Sequence, residues 1–222
     1  EQEYPKGAGK IKVTSLFSSL LARGYLPVQV EILNNTKSDR VWNLNFSSAD
    51  GFMFGYASAE IKLQSCYGLR CAAGDSKRYD LLVPIVTMFP VQHSPYLTND
   101  LSLTLEVLCS GLPMLDGYMS WEDHKEWGAV LMSEDLANKN SNDLDSYLKA
   151  YNGSFRSSGF GYAGEFQASN MPGDWRAYLG YDSLVLTEKD WLSTSPSARN
   201  AVLEWNRLGG HLIVYSQDTQ MN

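Results

Sequence analysis

Residues 181–215 constrain the fold more than any other stretch of the chain. Tyr181-Asp182-Ser183-Leu184-Val185-Leu186 reads as a buried strand, and Thr187 is placed to cap a short turn, Glu188-Lys189-Asp190-Trp191. Ser195-Pro196 then opens a helix, with Ser as N-cap and Pro at the first helical position, where its missing N–H is not needed. Ala198, Ala201, Val202, Trp205 and Leu208 recur at helical spacing and form one apolar stripe. Gly209-Gly210 stops the helix, because glycine takes the left-handed cap conformation without a steric penalty. His211 to Tyr215 is a second strand. Strand, helix and strand in that order predict a parallel pair joined by a right-handed crossover.

The first half has a different period. Val28, Val30 and Ile32 alternate with Gln29 and Glu31, and Trp42, Leu44 and Phe46 alternate with Asn43 and Asn45. The cluster between them, Asn34 to Asp39, is turn-forming, so the two runs are expected to pair as a hairpin. Lys10–Ser15, Glu60–Gln64, Tyr79–Pro84 and Leu101–Val107 add further short strands, with a turn at Ala73-Gly74-Asp75-Ser76. Short alternating strands separated by turns predict an antiparallel β-sandwich. Ser110-Gly111-Leu112-Pro113 reads as a domain edge. Ala129–Met132 is a short strand and Asp143–Tyr151 a helix, with Leu144, Tyr147 and Leu148 on one face. The expected fold is thus α+β in two parts. Residues 1–112 form the sandwich, and residues 113–222 form an α/β region with parallel strands that stops early, as in a chain cut from a longer protein.

Two resemblances rest on these runs. Gly24-Tyr25-Leu26-Pro27-Val28, the strand with Trp42, and Ala73-Gly74-Asp75 leading into Leu81-Leu82-Val83-Pro84 together resemble immunoglobulin-like sandwiches of exported bacterial envelope proteins. The run from Tyr181 to Leu186, then Ala201-Val202-Leu203-Glu204-Trp205, then Gly209 to Val214 resembles the class I glutamine amidotransferase-like family, whose fold is flavodoxin-like. The second resemblance implies a doubly wound α/β region. Enzymes of that family use a Cys on a sharp strand-to-helix turn, and no position here matches it: Cys66, Cys71 and Cys109 all lie upstream. No catalytic residue is carried over, and no cofactor is expected.

Other side chains could carry chemistry. Glu122, His124 and Glu126 would share a face of an extended segment and could ligate a metal, but a solvated segment with aromatic anchors explains them as well. Tyr162, Trp175 and Tyr178 lie in an aromatic stretch that could stack on a sugar or simply pack. Cys66 and Cys71 flank Tyr67-Gly68-Leu69-Arg70, which could turn and let the thiols bond, as exported proteins allow. Ser157–Tyr162 is Gly-rich but lacks the Lys-Ser/Thr ending of a phosphate loop. Asn34, Asn45 and Asn152 each open an Asn-x-Ser/Thr triplet.

Composition excludes several classes. The chain has 222 residues, 25 acidic and 18 basic, for a net charge of -7, which disfavours binding to nucleic acid. Hydrophobic residues make up 44%, too many for a disordered chain. No run approaches the roughly 20 apolar residues of a membrane helix, so any membrane attachment would come from sequence absent from this chain. The expected function is a non-catalytic scaffolding or binding role in an exported, periplasmic or extracellular protein, with a protein or glycan partner in the cell envelope. The alternatives are a hydrolase whose site is completed by missing sequence or a partner, and a carbohydrate-binding protein.

Overall fold

A computed structural model describes residues 2–18, 24–54, 57–86, 100–122, 129–140 and 162–216. The chain divides into two compact units, Glu1–Ser15 with Pro27–Asp123, and Leu16–Leu26 with His124–Asn222.

The first unit contains two four-stranded antiparallel sheets. One has the order β1 (Gln2–Glu3), β2 (Gly9–Ser15), β3 (Gly24–Asn34), β6 (Ser76–Ile85). The other has the order β5 (Ala57–Cys71), β4 (Arg40–Phe54), β7 (Asp100–Cys109), β8 (Leu115–Glu122). The alternating runs place their apolar sides inward: Val28, Val30 and Ile32 of β3 are buried, as are Trp42, Leu44 and Phe46 of β4. The expected hairpin between these two strands does not form. β3 lies beside β2 and β6, whereas β4 pairs with β5 and β7. Alternation fixes which face a strand buries and leaves its hydrogen-bonded neighbour open.

Asn34 accounts for the crossing from one sheet to the other. Its side chain is fully buried and donates to the carbonyls of Ser38 (3.0 Å), Cys71 (3.1 Å) and Ala72 (3.0 Å). Its Oδ1 accepts from the Thr36 amide and hydroxyl, at 3.1 and 2.7 Å. One amide group thus ties the β3–β4 link to the β5–β6 turn with all its polar capacity used. A buried Asn34 is not accessible as a glycan acceptor.

The second unit is built on a four-stranded parallel sheet in the order β10 (Tyr162–Phe166), β9 (Val130–Ser133), β11 (Ser183–Thr187), β12 (His211–Tyr215). Among the described residues its α-helices are α1 (Glu134–Lys139), α2 (Glu188–Ser193) and α3 (Pro196–Arg207). The parallel pair expected from residues 181–215 is present as β11 and β12, with Ser183 opposite His211 and Thr187 opposite Tyr215. Ser195 caps α3 by accepting from the Ala198 amide at 3.2 Å. Ala198, Ala201, Val202 and Trp205 are buried, but Leu208 at the C-cap is 62% exposed and leaves the expected stripe. Gly209 has φ +112°, and a Cβ on Gly210 would lie 2.2 Å from the Trp205 ring, so both glycines of the stop are needed.

Residues 16–18 also belong to this unit. Phe17 bridges Phe166, and the Ser18 amide donates to the Glu165 carbonyl at 2.9 Å, which covers the outer edge of β10. The division therefore differs from one at 112/113: β8 extends the first unit to residue 122 by pairing with β7. The helix expected over 143–151 and the Gly-rich run before Tyr162 lie outside the described residues.

Candidate functional site

Parallel α/β sheets place their chemistry at the carboxyl ends of the strands. In the second unit that edge is defined by Ser133, Phe166, Thr187 and Tyr215. Ser133 ends β9 and is the N-cap of α1, and Thr187 ends β11 and is the N-cap of α2. The two hydroxyls converge on one carboxylate. Ser133 Oγ and Thr187 Oγ1 each donate to Asp190 Oδ2 at 2.7 Å, and the Thr187 amide donates to the same oxygen at 3.1 Å. In return, Thr187 Oγ1 accepts from the Asp190 amide at 3.1 Å, completing a reciprocal capping box. Thr194 and Ser193 donate from below to the Asp190 carbonyl, at 2.9 and 2.8 Å.

Ser133, Thr187 and Asp190 are buried, at 1%, 5% and 7% exposure. Burial works to raise the Asp190 pKa. The hydrogen bonds from the Thr187 hydroxyl, Ser133 and the Thr187 amide, together with the Lys189 charge, outweigh it and hold the carboxyl below the usual range. The carboxylate is therefore an ionised clamp. A general base would need a pKa nearer neutrality. Further out, Ser216 Oγ donates to Glu188 Oε2 at 3.1 Å, with both groups exposed. Lys189 and Asp135 form a surface ion pair at 3.8 Å, of a kind that contributes little.

The opposite edge has a shallow cleft of about 190 Å³, lined in part by Tyr181, Asp182, Trp205, Gly210 and His211. Here too the polar groups are used for structure. Asp182 Oδ2 accepts from the Ala129 amide at 2.9 Å, and the Asp182 carbonyl accepts from the His211 amide at 2.9 Å.

Of the aromatic candidates, Trp175 and Tyr178 do not form a joint platform. Tyr178 is fully buried between Phe17 and Trp205, with ring centroids at 5.8 and 6.1 Å, and its hydroxyl donates to the Pro172 carbonyl at 2.8 Å. It is a core residue and cannot stack on a sugar. Trp175 is half-buried in the 3-10 helix Trp175–Tyr178, which Asp174 caps by accepting from the Arg176 amide. The Arg176 side chain also holds Asp174 below its usual pKa. Tyr162 opens β10 opposite Val130.

Cys66 and Cys71 are both free. The turn expected between them is absent, because β5 runs unbroken through both. Five residues apart on one strand, they point to opposite faces and stand roughly 16 Å apart, too far to bond. Cys66 is exposed, whereas Cys71 and Cys109 are buried, and burial pushes both of those thiols up in pKa and makes them inert. Glu122 ends β8, and His124 and Glu126 lie outside the described residues. Among the described residues no group of three or more His, Cys, Asp or Glu side chains is placed to hold a metal, and no helix is long and apolar enough to cross a membrane.

The Asp190 cluster was half visible in the sequence. Thr187-x-x-Asp190 is a capping-box spacing, but nothing local to Ser133 points to a partner 57 positions away.

No protein-family model matches this chain, and no curated protein does. Three solved structures show a loose likeness. The sporulation control protein Spo0M of Bacillus subtilis is 8% identical with a TM-score of 0.34, over 54% of this chain and 51% of its own. The chain thus spans about half the length of that protein. The putative ApaA protein of Bordetella pertussis is 12% identical with a TM-score of 0.24, over 56% of this chain and 98% of its own. BslA, a bacterial hydrophobin, is 9% identical with a TM-score of 0.27, over 55% and 99%. At these scores none of them identifies a fold or a function.

Proposed function

We propose that this chain is a non-catalytic, exported or cell-envelope protein with a scaffolding or binding role. In this reading an immunoglobulin-like sandwich precedes an amidotransferase-like, flavodoxin-like region that has no catalytic machinery. The strand order β10-β9-β11-β12 supports the second assignment, since it has the 2-1-3-4 arrangement with which a flavodoxin-like sheet begins.

The observation that carries the reading is the state of the carboxyl edge. Where an enzyme of this architecture would present a reactive group, Ser133, Thr187 and Asp190 are buried and bonded to one another. A fluorophosphonate probe, which labels activated serines, is expected to leave the chain unmodified. Stoichiometric labelling of Ser133 or Ser216 would overturn the reading. The second outcome has its own motive: Ser216 pairs with Glu188 at the exposed carboxyl ends of neighbouring strands, the place where a hydrolase site completed by further sequence would lie.

A further inference from the structure

We propose that Tyr4, Trp42 and Cys109 form a buried hydration site inside the first unit, which binds one water molecule as an internal structural ligand.

Buried side-chain polar atoms are almost always hydrogen-bonded, because an unpaired one forfeits the bonds it would make to solvent. Among the described residues, three such atoms have no hydrogen-bond partner in the protein: Tyr4 Oη, Trp42 Nε1 and Ser65 Oγ. Ser65 is only half-buried and lies opposite Phe46, four ladder positions from Trp42. The other two atoms belong to fully buried side chains, with Tyr4 2% and Trp42 0% exposed.

The backbone brings these two side chains together. Tyr4 follows β1, and its amide donates to the Gly9 carbonyl at 2.9 Å, which fixes the residue against the start of β2. Trp42 stands directly opposite Cys109 of β7 in the antiparallel ladder, and Cys109 is buried as well. The indole is near enough to the phenol to favour its ionised form, as a donor does, and Cys109 is near enough to oppose it. Burial dominates and pushes the Tyr4 hydroxyl up to about 12 in pKa, so it keeps its proton and its capacity to donate.

The chemistry of the three groups matches water. An indole N–H only donates, a thiol sulfur is a weak acceptor, and a phenol hydroxyl does both. A water oxygen can accept from the Trp42 indole N–H and the Tyr4 hydroxyl, and the water can donate to Cys109 Sγ. That makes about three bonds, the usual number for an internal water. Arg40, which also reaches Cys109, is already committed to Thr36 Oγ1 and the Ser110 carbonyl, so a neutral ligand suits the site. The bound water pins Tyr4, and with it the short strand β1, to the core beneath β4 and β7.

A crystal structure of the full chain, at a resolution that shows ordered solvent, tests this together with urea unfolding of Tyr4→Phe. The expected result is a water within about 2.7–3.2 Å of both Tyr4 Oη and Trp42 Nε1. Tyr4→Phe removes only the hydroxyl. It should lower the urea midpoint, because the bound water loses a partner, and the water should be missing from the crystal structure of the variant. Deleting a hydroxyl that is buried without any partner has the opposite sign and raises the midpoint. A raised or unchanged midpoint would overturn the proposal. So would a crystal structure in which Trp42 Nε1 bonds directly to Tyr4 Oη with no water between them.

Discussion

Ser133 Oγ lies 2.7 Å from Asp190 Oδ2, although 57 residues separate the two in sequence. This contact joins the end of β9 to the first turn of α2, and it converts what could have been an open site into a fixed corner of the fold.

Removing the carboxylate should therefore destabilise the second unit. Asp190→Ala deletes a capping box and leaves two buried hydroxyls without their acceptor, for a cost of about 3 kcal/mol. Urea denaturation followed by tryptophan emission would measure it, since Trp205 lies in the core of this unit. Asp190→Asn keeps the shape and should cost less.

The same carboxylate gives a pH dependence with a definite sign. Its folded pKa is depressed, so in acid the unfolded chain binds the proton more readily than the folded one, and stability rises with pH in that window. The contribution is fully present above the unfolded Asp value of about 3.9 and is lost as pH falls through the lower folded value. Thermal melts of the wild type should thus decline more steeply below pH 4 than those of Asp190→Asn. Parallel curves would assign the acid sensitivity to another group.

At the other end of α3 the constraint is steric. A Cβ at Gly210 would fall 2.2–2.5 Å from Trp205 ring atoms, which belong to a buried, rigid side chain. Gly210→Ala should cost about 1–3 kcal/mol through overpacking and should shift the Trp205 emission. A substitution without effect would mean that the turn can open away from the indole.

Asn34 makes a parallel prediction for the first unit. Asn34→Asp replaces a donor of three hydrogen bonds with an acceptor facing the carbonyls of Ser38, Cys71 and Ala72. It should destabilise more than Asn34→Ala, which only leaves those carbonyls unpaired, with the latter costing about 2–3 kcal/mol. The reverse ranking in urea melts would show that the amide is not the hub of the two turns.

Residue by residue, the sequence was informative where local rules act alone. Ser195-Pro196, Gly209-Gly210 and the Thr187–Asp190 box each combine a cap with a periodic run, and each is found in place. It was misleading where the choice of partner is long-range. The alternations around Val30 and Leu44 are equally consistent with a hairpin and with strands in separate sheets, and only the buried Asn34 amide marks the crossing. β8 and β10 leave weak local signals in the sequence. Leu115, Met119 and Trp121 alternate with Asp116, Ser120 and Glu122, but Gly117 interrupts the apolar side, and the β10 register shifts between Tyr162 and Gly164. Gly68 suggests a turn at Tyr67–Arg70 but sits in the ladder opposite Asn43.

A double-mutant cycle on Ser133→Ala and Asp190→Asn, read by urea unfolding, tests the locked carboxyl edge most directly. If the pair holds that edge together, the two substitutions should be non-additive, with a coupling energy of about 1–2 kcal/mol. Effects that add to within about 0.3 kcal/mol would contradict it, leaving Ser133 free to serve as a reactive group.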